Sequence, residues 1–222
     1  MLVAAGSGSR LGAPVPKAFV ALAGRTLLDR SLGAVRASGC VDEVVLVVPA
    51  EVVAEVTCRY AASAHLSVVA GGAERTDSVA AGLAALGPGC EVVLVHDAAR
   101  CLAPPELFRR VLAAVRAGAD GVVPALPVVD TVKVVDPEGV VTGTADRAHL
   151  RAVQTPQGFR RAALEHAHAS AASSATDDAA LLEAAGHHVL TVPGDVRALK
   201  VTTPLDLLVA EALLRSATTH HP

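Results

Sequence analysis

Three strand-like runs constrain this chain more than anything else in it: Val44-Val45-Leu46-Val47-Val48, Leu66 to Ala70, and Val92-Val93-Leu94-Val95. A strand with one wet face alternates apolar and polar residues. A run that is apolar throughout is expected to be buried on both faces. Helical stripes lie between and around these runs. Leu27, Leu28, Ser31, Leu32 and Val35 form one, closed by Gly39. Val79, Leu83 and Leu86 form another, closed by Gly87. Pro104-Pro105 opens a third, with Leu107, Val111, Leu112 and Val115 inward and Gly118 after it. Strand–helix alternation predicts a Rossmann-like α/β fold: a mostly parallel sheet with helices on both faces. Ligands of such sheets sit at the carboxyl ends of the strands.

The first of those carboxyl ends falls early. Val3-Ala4-Ala5-Gly6-Ser7-Gly8-Ser9-Arg10-Leu11-Gly12, followed by Pro16-Lys17, runs from a short apolar strand into a loop of small residues. Glycine lets a backbone approach an anion closely, successive N–H groups cradle phosphate, and nearby cations neutralise it. Only Met1 to Ala4 precede the loop, so the first strand is expected to be short. The dinucleotide fingerprint Gly-x-Gly-x-x-Gly needs glycine at position 11, which is Leu, and no Gly-Lys pair exists for a P-loop. The alternative that the glycines merely make a turn leaves Arg10 and Lys17 unexplained.

Two further clusters open where strands end. Gly71-Gly72-Ala73-Glu74-Arg75-Thr76-Asp77-Ser78 follows the second run, with Asp77 or Ser78 suited to cap the next helix. Arg75 reads as loop support. His96-Asp97-Ala98-Ala99-Arg100 follows the third run directly. A carboxylate at that place, Asp97, is suited to hold Mg²⁺ against a triphosphate. Arg100 offers a planar fork to a phosphate or a carboxylate. Farther along, Val128 to Val135 and Val140 to Thr144 flank Asp136-Pro137-Glu138-Gly139 and predict a β-hairpin arm within 127–150. It is too polar at Asp130, Thr131 and Lys133 for a central strand.

In this order, the three clusters and the later Pro127–Lys133, Asp146-Arg147, Gln154-Thr155-Pro156-Gln157, Thr176-Asp177 and Ala198-Leu199-Lys200-Val201-Thr202 resemble the 2-C-methyl-D-erythritol 4-phosphate cytidylyltransferase family of non-mevalonate isoprenoid synthesis. The resemblance spans residues 3 to about 212. It implies transfer of the cytidylyl group of CTP to a polyol phosphate, with release of pyrophosphate. It implies catalytic roles for Arg10, Lys17 and Lys200, and CTP contacts at Ala4, Ala5, Gly6, Ser7, Gly8, Asp97 and Ala98. It puts cytosine and ribose against Gly71, Gly72 and Ser78, and the polyol phosphate near Arg100, Thr131, Arg147, Thr155 and Thr176. Thr131 and Arg147 would reach that substrate from a second subunit, through the arm of a homodimer. Ribitol 5-phosphate is the alternative polyol substrate. A nicotinamide oxidoreductase would share the fold class but not Leu11 or the Arg10/Lys17 pair. A non-catalytic nucleotide binder would leave Lys17 idle.

Composition narrows the rest. The 222 residues suit a single domain over 1–222, with a disordered tail over 217–222 and a mobile loop or frayed helix end at 169–174. One Tyr, three Phe and no Trp leave little to stack on bases, and the net charge of −3 gives no basic surface, so nucleic acid is not the expected partner. Cys40, Cys58, Cys90 and Cys101 show no metal spacing and read as thiols of a reducing cytosol. His166 and His168 fall on different helix faces, and no histidine metal site is expected. With neither a secretory signal nor an apolar run of roughly 18 residues, the protein is expected to be cytoplasmic and to leave membranes alone.

Overall fold

The computed structural model describes residues 1–219 except Ser7, Ser9, Arg10, Pro14 and 171–176, and only the backbone of 217–219. Strand β1 (Leu2–Val3) is followed by a two-stranded ribbon, β2 (Ala21–Leu22) and β3 (Arg25–Thr26), then α1 (Leu27–Ser38), β4 (Val44–Val48), α2 (Val53–Arg59) and β5 (Leu66–Ala70). The chain continues through α3 (Arg75–Ala84), β6 (Val92–Asp97), α4 (Pro105–Arg116) and β7 (Gly121–Pro127). Next come the arm strands β8 (Lys133–Val135) and β9 (Val141–Thr144), then β10 (Arg151–Val153) and β11 (Gln157–Arg160). Helices α5 (Arg161–Ser170) and α6 (Asp178–Ala184), strand β12 (Val189–Pro193) and α7 (Pro204–Thr219) complete it.

Four parallel strands, β5-β4-β1-β6, form the half of the sheet that the apolar runs foretell, but β5, interrupted by Ser67, is an edge strand with none of its residues buried and does not lie buried on both faces as expected. β11 then pairs antiparallel with both β6 and β7, and β12 runs parallel to β7. Side chains of β4 divide between two cores, as a strand's period of two requires. Val45 and Val47 pack with Val79 and Leu83 of α3, Leu164 of α5 and Leu182 of α6. Leu46 and Val48 pack with Leu28 and Leu32 of α1 and Val56 of α2. Full burial of each such side chain contributes about 1.5–3 kcal/mol. Helices therefore cover both faces.

Local chemistry sets the element ends. Thr26 caps α1 by accepting the Asp29 N–H (3.0 Å), and Gly39 closes it at φ +62°, the left-handed turn that favours glycine. The cap of α3 differs from expectation. Glu74 holds the N-cap position and its N–H donates to Asp77 Oδ2 (3.0 Å), so neither Asp77 nor Ser78 is the N-cap. α3 stops at Ala84, and Leu86 packs beyond it.

The hairpin is shorter than its apolar runs suggest. Val128–Val132 stays outside the ladder, and β8–β9 pairs only from Lys133 to Thr144. Its turn is held by Asp136 Oδ1, which accepts the Val140 N–H (2.8 Å). At the other expected irregular segments, α5 runs to Ser170, and 171–176 lie outside the described residues. α7 continues to Thr219, three residues into the segment expected to be a tail, because its helical hydrogen bonding does not stop at 217.

Candidate active site

β1 lies between β4 and β6, with Val3 beside Val47 and Asp97. The Ala4 N–H donates to the Val47 carbonyl (2.7 Å), and the Ala98 N–H donates to the Val3 carbonyl (2.9 Å). The glycine loop thus leaves the sheet beside Asp97. A cavity of about 230 Å³ opens there, lined by Ala4, Ala5, Gly6, Lys17, Gly72, Arg75, Ser78, Asp97, Ala98 and Lys200 among others. A larger cavity of about 360 Å³ lies at the amino ends of the strands, against Glu43, Cys90, Val92 and Phe108. Size does not choose between them. Of the two, only the smaller gathers two lysines, an arginine and two carboxylates, at the end of the sheet where ligands bind.

Two expected site residues, Gly8 and Gly71, stand just behind the cavity lining, and both must be glycine. Gly8 has φ +69°, and a Cβ there would lie 2.4 Å from Lys17 Cβ and 3.1 Å from Lys17 Cα. The loop therefore rests directly on the backbone of Lys17, the first residue of a 3-10 turn over Lys17–Phe19. A Cβ on Gly71 would lie 2.5 Å from Ala5 Cβ and 2.7 Å from Ser78 Oγ. Ser78 Oγ accepts the Gly72 N–H (3.2 Å) and donates to the Glu74 carbonyl (3.1 Å), which fixes the glycine pair at the cavity wall.

Asp97 is the electrostatic centre. Its Oδ2 lies 2.7 Å from Lys200 Nζ, and its Oδ1 lies 3.5 Å from Arg75 Nε. Burial would raise the carboxyl pKa, but the two cations hold it well below the usual carboxylate range. Arg75 reaches further, to Asp178 Oδ2 at 2.7 Å. Lys200 is placed by a short anchored segment. The Val201 N–H donates to the Ala99 carbonyl (2.9 Å), and Asp206 Oδ2 accepts from the backbone N–H and the hydroxyl of both Thr202 and Thr203.

Beneath Asp97 lies a buried polar pair. The Asp97 N–H donates to Thr155 Oγ1 (3.0 Å), and that hydroxyl lies 2.9 Å from His96 Nδ1. Burial pushes the His96 imidazole down to about 3, so it is neutral near pH 7. Thr155 is only 4 % exposed and its oxygen is already engaged. It supports Asp97 from below and does not present its hydroxyl to the cavity.

Other expected site residues stand apart. Arg100 donates to the Ala198 carbonyl (2.8 Å) and the Val153 carbonyl (3.2 Å), tying the end of β6 to the segment before Lys200. Arg147 donates to the Val129 carbonyl on the arm. Neither these two nor Thr131 lines the cavity of the single chain. Ser7, Arg10 and Thr176 lie outside the described residues. Sequence reasoning missed Asp178. Asp177 beside it caps α6 through the Ala180 N–H (3.0 Å), and only the fold shows that Asp178 turns inward.

Comparison with known proteins decides the family. The family model for 2-C-methyl-D-erythritol 4-phosphate cytidylyltransferase matches residues 1–216. The chain belongs to this family. It is 52 % identical over 214 residues to the cytidylyltransferase of that name from Rhodococcus opacus, covering 96 % of this chain and 93 % of that protein. It is 55 % identical to the one from Nocardia farcinica, covering 96 % and 92 %. The crystal structure of the cytidylyltransferase from Thermus thermophilus superposes with a TM-score of 0.78 at 38 % identity, covering 96 % of this chain and 97 % of that one. The chain is therefore a nucleotidyltransferase, a cytidylyltransferase of isoprenoid precursor synthesis that joins CTP and 2-C-methyl-D-erythritol 4-phosphate.

Proposed function

We propose that the cavity between the glycine loop and Asp97 is where this cytidylyltransferase binds CTP and carries out the transfer. The observation that carries the proposal is the convergence of Lys17, Lys200, Arg75 and Asp97 on one cavity at the carboxyl ends of β1 and β6. An oxygen of the 2-C-methyl-D-erythritol 4-phosphate attacks the α-phosphorus of CTP in line. The bond from the α-phosphorus to the bridging oxygen breaks, and pyrophosphate leaves with that electron pair. The attacking phosphate is already anionic, so no strong base is needed. The obstacle is charge, and fixed cations are the remedy.

Lys17, held against Gly8, stabilises charge gathering on the α-phosphate and the leaving pyrophosphate, with Arg10 assigned the same task. Lys200 holds the substrate phosphate close to the α-phosphorus. Gly71 and Gly72 bring bare backbone to the cytosine and ribose. One carboxylate suffices for Mg²⁺, which keeps most of its shell as water and phosphate oxygen, and Asp97 supplies a hard oxygen at the right strand end. When bound, the ion orients the triphosphate and shares its charge.

The protein acts as a homodimer built on the arm. Val134, Val135, Val140 and Val141 are exposed there on one short hairpin, with Val129 exposed on the segment leading into it, an apolar surface that suits a second copy. Thr131 and Arg147 would then meet the partner's substrate. No helix of the described residues is long and apolar enough to cross a membrane. Placement in the cytoplasm is supported by the four cysteines, all free, a state kept in a reducing compartment.

The test is pyrophosphate release with CTP and Mg²⁺, given 2-C-methyl-D-erythritol 4-phosphate or ribitol 5-phosphate. Release with the first alone is expected. Release with ribitol 5-phosphate alone would overturn the substrate, and release with neither would overturn the catalytic assignment.

A further inference from the structure

The side chain of Arg75 spans two carboxylates on opposite sides of the site. Its tight contact is with Asp178, at 2.7 Å, and its loose contact is with Asp97, at 3.5 Å. Asp178, the first residue of α6, is fully buried. A buried carboxylate without a cationic partner is costly, so Asp178 competes strongly for the guanidinium. Its other oxygen lies 3.3 Å from His168 Nε2 of α5, which fixes the carboxylate from the far side. The outcome is an arginine shared unequally, bound tightly to Asp178 and only loosely to Asp97. Lys200 occupies one Asp97 oxygen, and Arg75 reaches the other only through a long hydrogen bond of 3.5 Å.

We infer that Asp178 is a positioning residue of the nucleotide site: it holds Arg75 at the cavity wall and limits its pairing with Asp97 to one long contact, so that this Asp97 oxygen and the guanidinium can both turn to the incoming nucleotide. The inference rests on the cavity being the CTP site. Removing the Asp178 charge lets Arg75 close its long contact with Asp97 into a tight pair. The two groups then neutralise each other and present less to the ligand. Because Asp178 acts only through Arg75, its loss does nothing further once Arg75 is gone.

Calorimetric titration of CTP with Mg²⁺ into wild type, Asp178→Asn, Arg75→Gln and the double variant tests this. Each single variant is expected to bind about tenfold more weakly, and the double variant within about twofold of the weaker single, the non-additivity of directly coupled groups. Wild-type affinity in Asp178→Asn, or losses that multiply in the double variant, would overturn the inference, since a merely structural aspartate gives independent effects. If the wild type itself fails to bind CTP, the assignment of the cavity falls instead. Should circular dichroism show Asp178→Asn unfolded, Arg75→Lys decides. One ammonium keeps the charge but does not span both carboxylates, so binding about tenfold weaker is expected, and wild-type affinity would overturn the inference.

Discussion

Replacing Gly8 by Ala perturbs the site through one added methyl group. That Cβ would meet Lys17 Cβ at 2.4 Å, whereas ordinary contact begins near 3.4 Å, so the two segments must separate by about 1 Å. The obstructing atoms are Cβ and Cα of Lys17, not the tip of its chain, so a rotamer change gives no relief. Alanine at φ +69° adds roughly 1–2 kcal/mol of backbone strain. In a chain of this length that lowers the melting temperature by only a few degrees. A displacement of about 1 Å at a group that stabilises the transition state costs on the order of a hundredfold in rate. The expected result is a folded protein with kcat down about a hundredfold. Steady-state pyrophosphate release, with thermal unfolding alongside, measures both quantities. A kcat within threefold of wild type would refute the claim that the loop sets the position of Lys17.

Lys17→Ala should lower kcat far more than it weakens CTP binding by titration, and equal losses would reduce Lys17 to a binding group. The His96 imidazole, lowered from 6.5 to about 3 on folding, stays neutral in the native state while the unfolded chain takes up a proton. Native stability should therefore fall as pH drops from about 6.5 toward 3, and His96→Gln should flatten urea-unfolding stability between pH 6.5 and 5. Asp97 also destabilises the fold on acidification, in a lower window. Its pKa is depressed on folding, so its stabilisation is present above 3.8 and is lost as pH falls toward the native value. Asp97→Asn should accordingly lose less stability than wild type below pH 4. Val134→Lys with Val141→Lys on the arm should give a monomer by sedimentation and a large loss of activity. An active monomer would contradict the partner roles of Thr131 and Arg147.

Burial on both faces made β4 and β6 legible, since an unbroken run such as Val44–Val48 has no other stable place in a folded chain. β7 went unread because Gly121, Pro124 and Pro127 punctuate it, yet it is an interior strand and the Pro124 carbonyl accepts the Gln154 N–H (2.7 Å). β11 is only Gln-Gly-Phe-Arg, and its glycine matters for packing, because a Cβ on Gly158 would lie 2.5 Å from Val111 Cγ1. Lys17, which lines the cavity, was readable from the loop motif. The pairing of Lys200 with Asp97 joins positions far apart in sequence, which no local pattern encodes. The inward turn of Asp178 beside the capping Asp177 is likewise visible only once α5 and α6 are packed.

The most direct measurement is a crystal structure of the protein with CTP and Mg²⁺. Triphosphate density between Lys17 and Asp97, with cytosine against Gly71 and Gly72 and an ion on Asp97, is the predicted result. Nucleotide bound in the cavity beside Glu43 and Phe108, or on the arm, would contradict it.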